Sequence, residues 1–356
     1  MVYKILAINP GSTSTKIAIY ENTKEVMTEN LSHSAAEIGE FATVLDQLDY
    51  RLGKIMAFLS SQGIKPQDLA AVVGRGGLLK PVVSGTYQIN DAMLDDLRHS
   101  RYGAHASNLG AILAARVAAQ AGCPGYIVDP VVVDELDPVA RITGRPEIEK
   151  RSIFHALNQK AVAKRFAKSL GRRYEDLTLI IAHLGGGISV GCHYQGRVVE
   201  VNNALDGEGP FSPERAGAVQ AGQFADEILS QRMSRETIAK MLAGRGGLVA
   251  HLGTNDAREV EKRIAAGDKG AELVYQAMAY NIARYIAAAA VPVCGKVDHI
   301  VLTGGIAHSK LLTGKIKDYI GFIAPVTVLA GEDELQALAE GACRVLCDEE
   351  PAKEYK

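Results

Sequence analysis

The sequence predicts an α/β protein built from two related halves, each a mixed sheet flanked by helices, with a cleft between the halves. Three observations carry that expectation. A polar turn, Asn9-Pro10-Gly11-Ser12-Thr13-Ser14-Thr15-Lys16, lies between two apolar strand-like runs, residues 5–8 and 17–20, and an altered copy follows 174 positions later. Laid without gaps, Ile8, Asn9, Gly11, Tyr20 and Asn22 fall opposite Ala182, His183, Gly185, Tyr194 and Gly196. The length, 356 residues, exceeds what one hydrophobic core ordinarily serves. Apolar runs of strand length alternate with stretches of helical periodicity through both halves.

In chain order, strands are predicted at 5–8, 17–20 and 25–29. Residues 35–62 place Ile38, Phe41, Leu45, Leu48, Leu52, Ile55 and Leu59 at spacings of three and four, which predicts one long helix ended by Gly63. Val72 and Val73 form a strand that runs into Gly74-Arg75-Gly76-Gly77. An alanine-rich helix, 107–120, stops at Gly122, and 126–133 reads as a buried strand carrying Asp129. The polar segment 136–150, with Pro138, Gly144 and Pro146, precedes a helix at 154–170 and marks the expected boundary. Residues 1–150 would form the first domain and 151–333 a second, nucleotide-binding one, with the C-terminal helix of 334–356 packing back on the first. The second strand triplet is predicted at 177–182, 188–194 and 197–202, with Gln195-Gly196 as its hairpin turn. Helices follow at 223–243, 257–266 and 270–290, the last apolar enough for a core or a subunit interface. A strand at 299–302 meets Thr303-Gly304-Gly305, and a helix at 334–346 closes the pattern.

Composition narrows the function classes. Lysine and arginine number 39 against 41 acidic residues, a net charge of -2 without a long like-charged block, which argues against nucleic acid or a membrane surface as partner. Five scattered cysteines give neither a disulfide framework nor a zinc spacing and read as buried thiols of a cytoplasmic protein. The first eight residues read as a buried strand and not as a signal-peptide core. The apolar stretch 285–294 is too short to span a bilayer and contains Pro292.

Small-molecule chemistry is then the expectation. A tight turn rich in Gly, Ser and Thr aims N–H groups and hydroxyls outward, an arrangement that suits phosphate oxygens. The pattern is not a Walker loop, because the second glycine that loop requires is missing before Lys16. One glycine turn after a strand is ordinarily structural, but the duplicated turn and a third at Gly304-Gly305 share a common reason in a bound nucleotide. Arg75, His155, His183 and Arg215 stand beside these turns, and phosphoryl transfer is catalysed mainly by positioning and by donors spread over the equatorial oxygens.

These motifs, together with His105-Ala106-Ser107-Asn108-Leu109-Gly110, Ile127-Val128-Asp129-Pro130, Phe154-His155-Ala156-Leu157-Asn158 and His183-Leu184-Gly185-Gly186-Gly187, resemble the acetate and sugar kinase, Hsp70 and actin superfamily. Within it the chain is most similar to the acetokinase family of carboxylate kinases, and there to members acting on butyrate. The resemblance covers nearly the whole chain. It implies a duplicated actin-like (ribonuclease H-like) fold, ATP/ADP and Mg²⁺ as cofactors, a short-chain carboxylate and its acyl phosphate as partners, and a homodimer or higher homo-oligomer. It also implies that Asn9 and Arg75 meet the transferred phosphoryl or acyl group, with Ser12, Thr13 and Lys16 in the same phosphate-binding turn. Asp129 would place magnesium or substrate, and His155, His183 and Arg215 would stabilise the transition state. Gly185, Gly186, Gly187, Gly304 and Gly305 would line the nucleotide site, and Glu334 would assist the metal.

The pattern departs from acetate kinases in two places. Ala156, Leu157, Asn158 and Gln159 stand where those enzymes have Gly, Thr, Ser and a second His, so the role of that histidine is not carried over. Gly76 and Gly77 replace two valines, which is expected to make room beside the acyl tail. At about 0.8 kcal/mol per buried methylene, a four-carbon acid would gain roughly tenfold or more over acetate. A carboxylic acid with a pKa of about 4 is already ionised at neutral pH, so the reaction needs no general base and Asp129 is expected to position rather than deprotonate. The nearest rival keeps the chemistry and changes the acid, to a branched-chain or other short-chain acid such as isobutyrate, propionate or acetate; a sugar or polyol kinase would need Asp129 as base, and an actin-like ATPase would work without any added acid.

Overall fold

The computed structural model describes residues 1–356, the side chain of Ala35 excepted. Its strands are β1 (Lys4–Pro10), β2 (Ser14–Glu21), β3 (Lys24–Ser32), β4 (Ala71–Arg75), β5 (Thr86–Gln88), β6 (Gly125–Val128), β7 (Leu179–Leu184), β8 (Ile188–Tyr194), β9 (Arg197–Val201), β10 (His299–Gly304), β11 (Val326–Ala330) and β12 (Lys353–Glu354). They form two sheets, one in the order β12-β5-β6-β4-β1-β2-β3 and the other in the order β11-β10-β7-β8-β9. The chain divides into two compact units, Met1–Val133 with Asp333–Lys356, and Asp134–Glu332.

In the first unit β1, β2 and β3 form an antiparallel meander, while β1, β4 and β6 run parallel. Asn9, Arg75 and Asp129 therefore emerge at the carboxyl ends of neighbouring parallel strands, where open α/β sheets place their ligands. The helix Asn108–Ala121 lies against β4 at unusually close range. A Cβ on Gly74 would sit 2.1 Å from the Gly110 carbonyl oxygen, and one on Gly110 would sit 2.3 Å from that of Arg75. Two facing glycines thus let the helix backbone touch the strand that carries Arg75. The helix Glu334–Leu346 packs on β1, β4 and β6 and buries Ala337, Leu338, Ala339 and Ala342.

The second unit repeats the plan, with β7, β8 and β9 as the antiparallel meander and β7, β10 and β11 parallel. The helix Lys269–Ala288 is its core, burying Tyr275, Met278, Ile282 and Ile286 completely. Register sharpens the repeat and corrects its alignment. Pro10 pairs with Thr15 across residues 11–14, whereas Leu184 pairs with Ile188 across 185–187, so the second glycine turn is one residue shorter. Beyond the turn, Tyr20 and Asn22 correspond to His193 and Gln195, not to Tyr194 and Gly196. The β-bulges agree, falling at Ile19/Tyr20 and Cys192/His193, and so do the left-handed hairpin residues Asn22 (φ 54°) and Gln195 (φ 50°).

Segment 134–150, placed with the first half by its composition, groups with the second unit. Arg141 pairs with Asp134, Arg197 pairs with Asp137, and Lys150 pairs with Glu200 and with Glu208. Three further expectations fail for local reasons. The long helix at 35–62 is two, Ala35–Gly39 and Leu48–Ser61, because the Thr43 amide and hydroxyl both donate to Asp46 and restart the chain. The helix at 223–243 is likewise split into Ala221–Gln231 and Arg235–Leu242 by Arg232 at φ 49° and the capping Ser234. The strand at 126–133 stops at Val128, since Asp129 adopts φ 38°. Cys294 and Cys347 are exposed and not buried, and all five thiols are free. Among the described residues no helix is long and apolar enough to cross a membrane.

Candidate active site

Each unit carries its own cluster of the expected residues. In the first, the turn after β1 is closed by the Gly11 amide donating to the Ser14 carbonyl at 2.8 Å. Its carbonyls face inward because Arg51, fully buried in the helix Leu48–Ser61, collects them. The guanidinium donates to the carbonyls of Gly11 (2.9 Å), Ser12 (3.1 Å) and Ser14 (3.1 Å), to the Thr15 hydroxyl (3.0 Å) and to Gln47 Oε1. Burial holds the Arg51 pKa below its ordinary value. His33 supports the same turn: its Nε2 is 2.9 Å from Thr15 Oγ1, and burial, with Arg51 and Lys54 nearby, pushes its pKa down to about 4. Ser12, Thr13 and Lys16 remain exposed on the outer side. Neither Arg51 nor His33 lies in a recognisable motif; the one signal in the sequence is that Arg51 shares the helix face of the apolar Ile55, Phe58 and Leu59.

Beside this turn Arg75, Asn9 and Glu334 converge. Arg75 Nη1 contacts the Glu334 carboxylate at 2.7 Å and Asn9 Oδ1 at 3.4 Å, and Asn9 Nδ2 donates to Glu334 Oε2 at 2.5 Å. Asp129 is buried, its Oδ1 accepting from the Ser84 hydroxyl and the Gly85 amide at 2.7 Å each. The expected acyl space at Gly76 and Gly77 is a correction. A Cβ on Gly76 would lie 2.5 Å from Pro130 Cβ, and one on Gly77 would lie 2.6 Å from Asn108 Cα and 2.9 Å from Leu97 Cδ2. The protein's own atoms fill the room that the missing valines would leave, and Asn108, accepting from the Leu78 amide at 2.9 Å, pins this segment.

In the second unit His155 and His183 stack with ring centroids 3.9 Å apart and planes 13° from parallel. His183, the penultimate residue of β7, lies beside the glycine turn, where a Cβ on Gly185 would approach its Nε2 to 2.9 Å. The half-buried Arg215 guanidinium lies over Gly187, whose Cβ would be 2.2 Å from Cζ, and it donates to the Ala204 carbonyl. Burial lowers the Arg215 pKa. Ser212 and the Glu214 amide both donate to the Gly186 carbonyl, fastening the arginine loop to the turn. Gly304, at φ 91°, packs its Cα against Leu184, and Gly305 borders a cavity of about 610 Å³ with Asn255, Asp256, Arg258, Glu261 and His308. Glu332, next to the unit boundary, is 3.8 Å from His183 Nε2. A second cavity of about 510 Å³, around Lys150, Glu200, Glu208 and Tyr285, contains none of the expected residues.

A meander followed by parallel strands, with a glycine-containing turn between its first two strands and present twice, defines the duplicated α/β fold of the actin-like class. Residues 147–315 match the model of the Acetokinase family. Similar solved structures include the acetate kinase of Porphyromonas gingivalis, at 18% identity and TM-score 0.77 over 96% of this chain and 99% of that one. A propionate kinase from Francisella tularensis subsp. tularensis SCHU S4 follows at 21% identity and TM-score 0.74, over 96% and 99%. The acetate kinase of Entamoeba histolytica aligns at 18% identity and TM-score 0.74, over 95% and 98%.

Proposed function

We propose that the chain is a carboxylate kinase of the acetokinase family that moves the γ-phosphoryl group of ATP reversibly and in line onto butyrate, giving butyryl phosphate and ADP. The observation that carries the reading is the cluster of His155, His183 and Arg215 around the Gly185-Gly186-Gly187 turn, in the stretch that matches the family model. His155 and Arg215 supply donors for developing phosphoryl charge, with His183 stacked on His155. The cavity beside Gly305 has the size and polar lining that an adenosine needs. Arg75 and Asn9 would meet the acid or its phosphate, and the Arg51-supported turn would present Ser12, Thr13 and Lys16 to phosphate oxygens. Asp129, fixed by Ser84 and Gly85, keeps a positioning role, which suits an acceptor that is already ionised and disfavours a sugar hydroxyl.

Magnesium is ordinarily held through substrate phosphate oxygens, water and one or two carboxylates. Glu334, in contact with Arg75 and Asn9, would assist the ion, and Glu332, beside the Gly185 and Gly305 turns, is a second carboxylate that could hold it. Bound there, magnesium would neutralise charge on the transferred phosphoryl group.

With the glycine pair excluded as an acyl pocket, the choice of acid rests on the resemblance to butyrate-specific members. The test is acyl phosphate trapping as hydroxamate with ATP, Mg²⁺ and hydroxylamine across acetate, propionate, butyrate, isobutyrate and valerate. Butyrate should give the highest kcat/KM. A maximum at isobutyrate or propionate reassigns the acceptor, and no hydroxamate with any acid overturns the kinase reading.

A further inference from the structure

We infer that Gln159 and Ser189 are positioning residues that hold His155 in its Nε2–H tautomer, while Asn158 holds the stacked His183 in the opposite, Nδ1–H tautomer. Each assignment follows from a backbone carbonyl, which can only accept. Gln159 Nε2 is 3.1 Å from the Ser189 carbonyl, so that atom is the amide donor and it also donates to Ser189 Oγ at 2.8 Å. The His155 backbone amide donates to the same Oγ at 3.3 Å. With two donors aimed at it, the Ser189 hydroxyl has one proton to give, and His155 Nδ1 stands 2.9 Å away. His155 Nδ1 therefore accepts, and the proton of the neutral ring is on Nε2.

The far end of the relay has the same polarity. Gln159 Oε1 faces His193 Nε2 at 3.0 Å, so His193 donates there and accepts at Nδ1 from Tyr174, 2.7 Å away. His193 and Gln159 are fully buried, so solvent does not compete for these bonds. On the other ring, Asn158 Nδ2 donates to the Glu332 carbonyl at 3.0 Å, which turns Oδ1 toward His183. His183 Nδ1, 2.8 Å from that oxygen, must donate. Two parallel imidazoles thus present unlike edges: Nε2–H on His155 and a basic Nε2 on His183. A phosphoryl oxygen can take a hydrogen bond from the first without either ring first changing tautomer.

The contribution to catalysis rests on the kinase reading; the tautomers do not. Long-range ¹H–¹⁵N correlation spectra of the full-length, histidine-labelled protein at a pH of about 8, above the ordinary imidazole range, read them directly. Wild type should show Nε2–H at His155 and Nδ1–H at His183, and Nδ1–H at His155 overturns the proposal. In Gln159→Glu, an isostere that accepts where the amide donates, the Ser189 hydroxyl turns round and His155 should switch to Nδ1–H while His183 keeps its pattern. Ser189→Ala should leave His155 mixed, and Ser189→Thr, which retains a hydroxyl, should restore it. An unswitched His155 in Gln159→Glu, with the His183 signal intact as proof of folding, also overturns it. If trapping detects an acyl phosphate, kcat should fall about tenfold in Gln159→Glu with KM little changed; if it detects none, the spectra still decide the tautomers and only the kinase reading fails.

Discussion

Gly187 and Gly186 are neighbours in one turn with unequal freedom. A methyl group on Gly187 would overlap the Arg215 guanidinium at 2.2 Å, whereas on Gly186 the nearest atom is Glu214 Oε2 at 3.5 Å, an ordinary contact. Gly187→Ala should therefore displace Arg215 and lower kcat/KM by about 10²-fold, the cost of losing one donor to the developing charge, with little change in Tm. Gly186→Ala should behave as wild type, and steady-state kinetics of the pair check both. His33 supplies a pH signature. Its pKa is about 4 in the folded protein against an ordinary 6.5, so between these values the unfolded chain holds a proton that the folded chain does not. Stability should be full above about pH 6.5 and fall as the pH drops toward 4; His193, also held well below its ordinary value by burial, adds to the same slope. Urea midpoints across that range should fall less steeply in His33→Gln. The candidate residues Asn9, Arg75, His155, His183 and Arg215 stand out in the sequence because they flank glycine turns, and the structure gathers Asn9 with Arg75 and His155 with His183. Arg51, His33, Ser189 and Gln159 do not stand out, since their role is to support other residues across distances of up to 40 positions.

At the level of the element, the strand triplets were readable from period and turn residues, including the hairpin turn at Gln195-Gly196. Helix lengths were not. Apolar spacing continues through residues 40–44 and 232–234, and a threonine–aspartate turn in one case and a serine cap in the other override it. Gapless comparison of the halves missed the one-residue difference because a turn length does not alter the pattern of either flanking strand. The contact between Asn108–Ala121 and β4 yields a separate expectation. Gly110→Ala gains about 1 kcal/mol of helix propensity, but its Cβ would meet the Arg75 carbonyl oxygen at 2.3 Å. Overpacking of about 1–3 kcal/mol should win, so urea denaturation should show net destabilisation. A stabilised variant would mean that the helix is free to shift from the strand.

For the whole molecule, the two units differ in how the chain builds them. The second is one continuous segment, 134–332, whereas the first needs residues 1–133 and the return of 333–356. The returning helix covers β1, β4 and β6, and a Cβ on its Gly341 would come within 2.5 Å of Val128. A 134–332 fragment should therefore unfold cooperatively on its own. Residues 1–133 should do so only when 333–356 is supplied, fused or in trans. Circular dichroism melts of the fragments check this, and a cooperative 1–133 fragment would show that the last helix is dispensable. During synthesis at ~5–20 residues per second, the roughly 220 residues after Val133 take on the order of 10–45 s to emerge. For that interval the oldest part of the nascent chain waits with its apolar sheet face uncovered while the younger part closes. A ribosome that stalls late thus releases a product whose defect lies at its beginning, a form that chaperones and proteases can recognise.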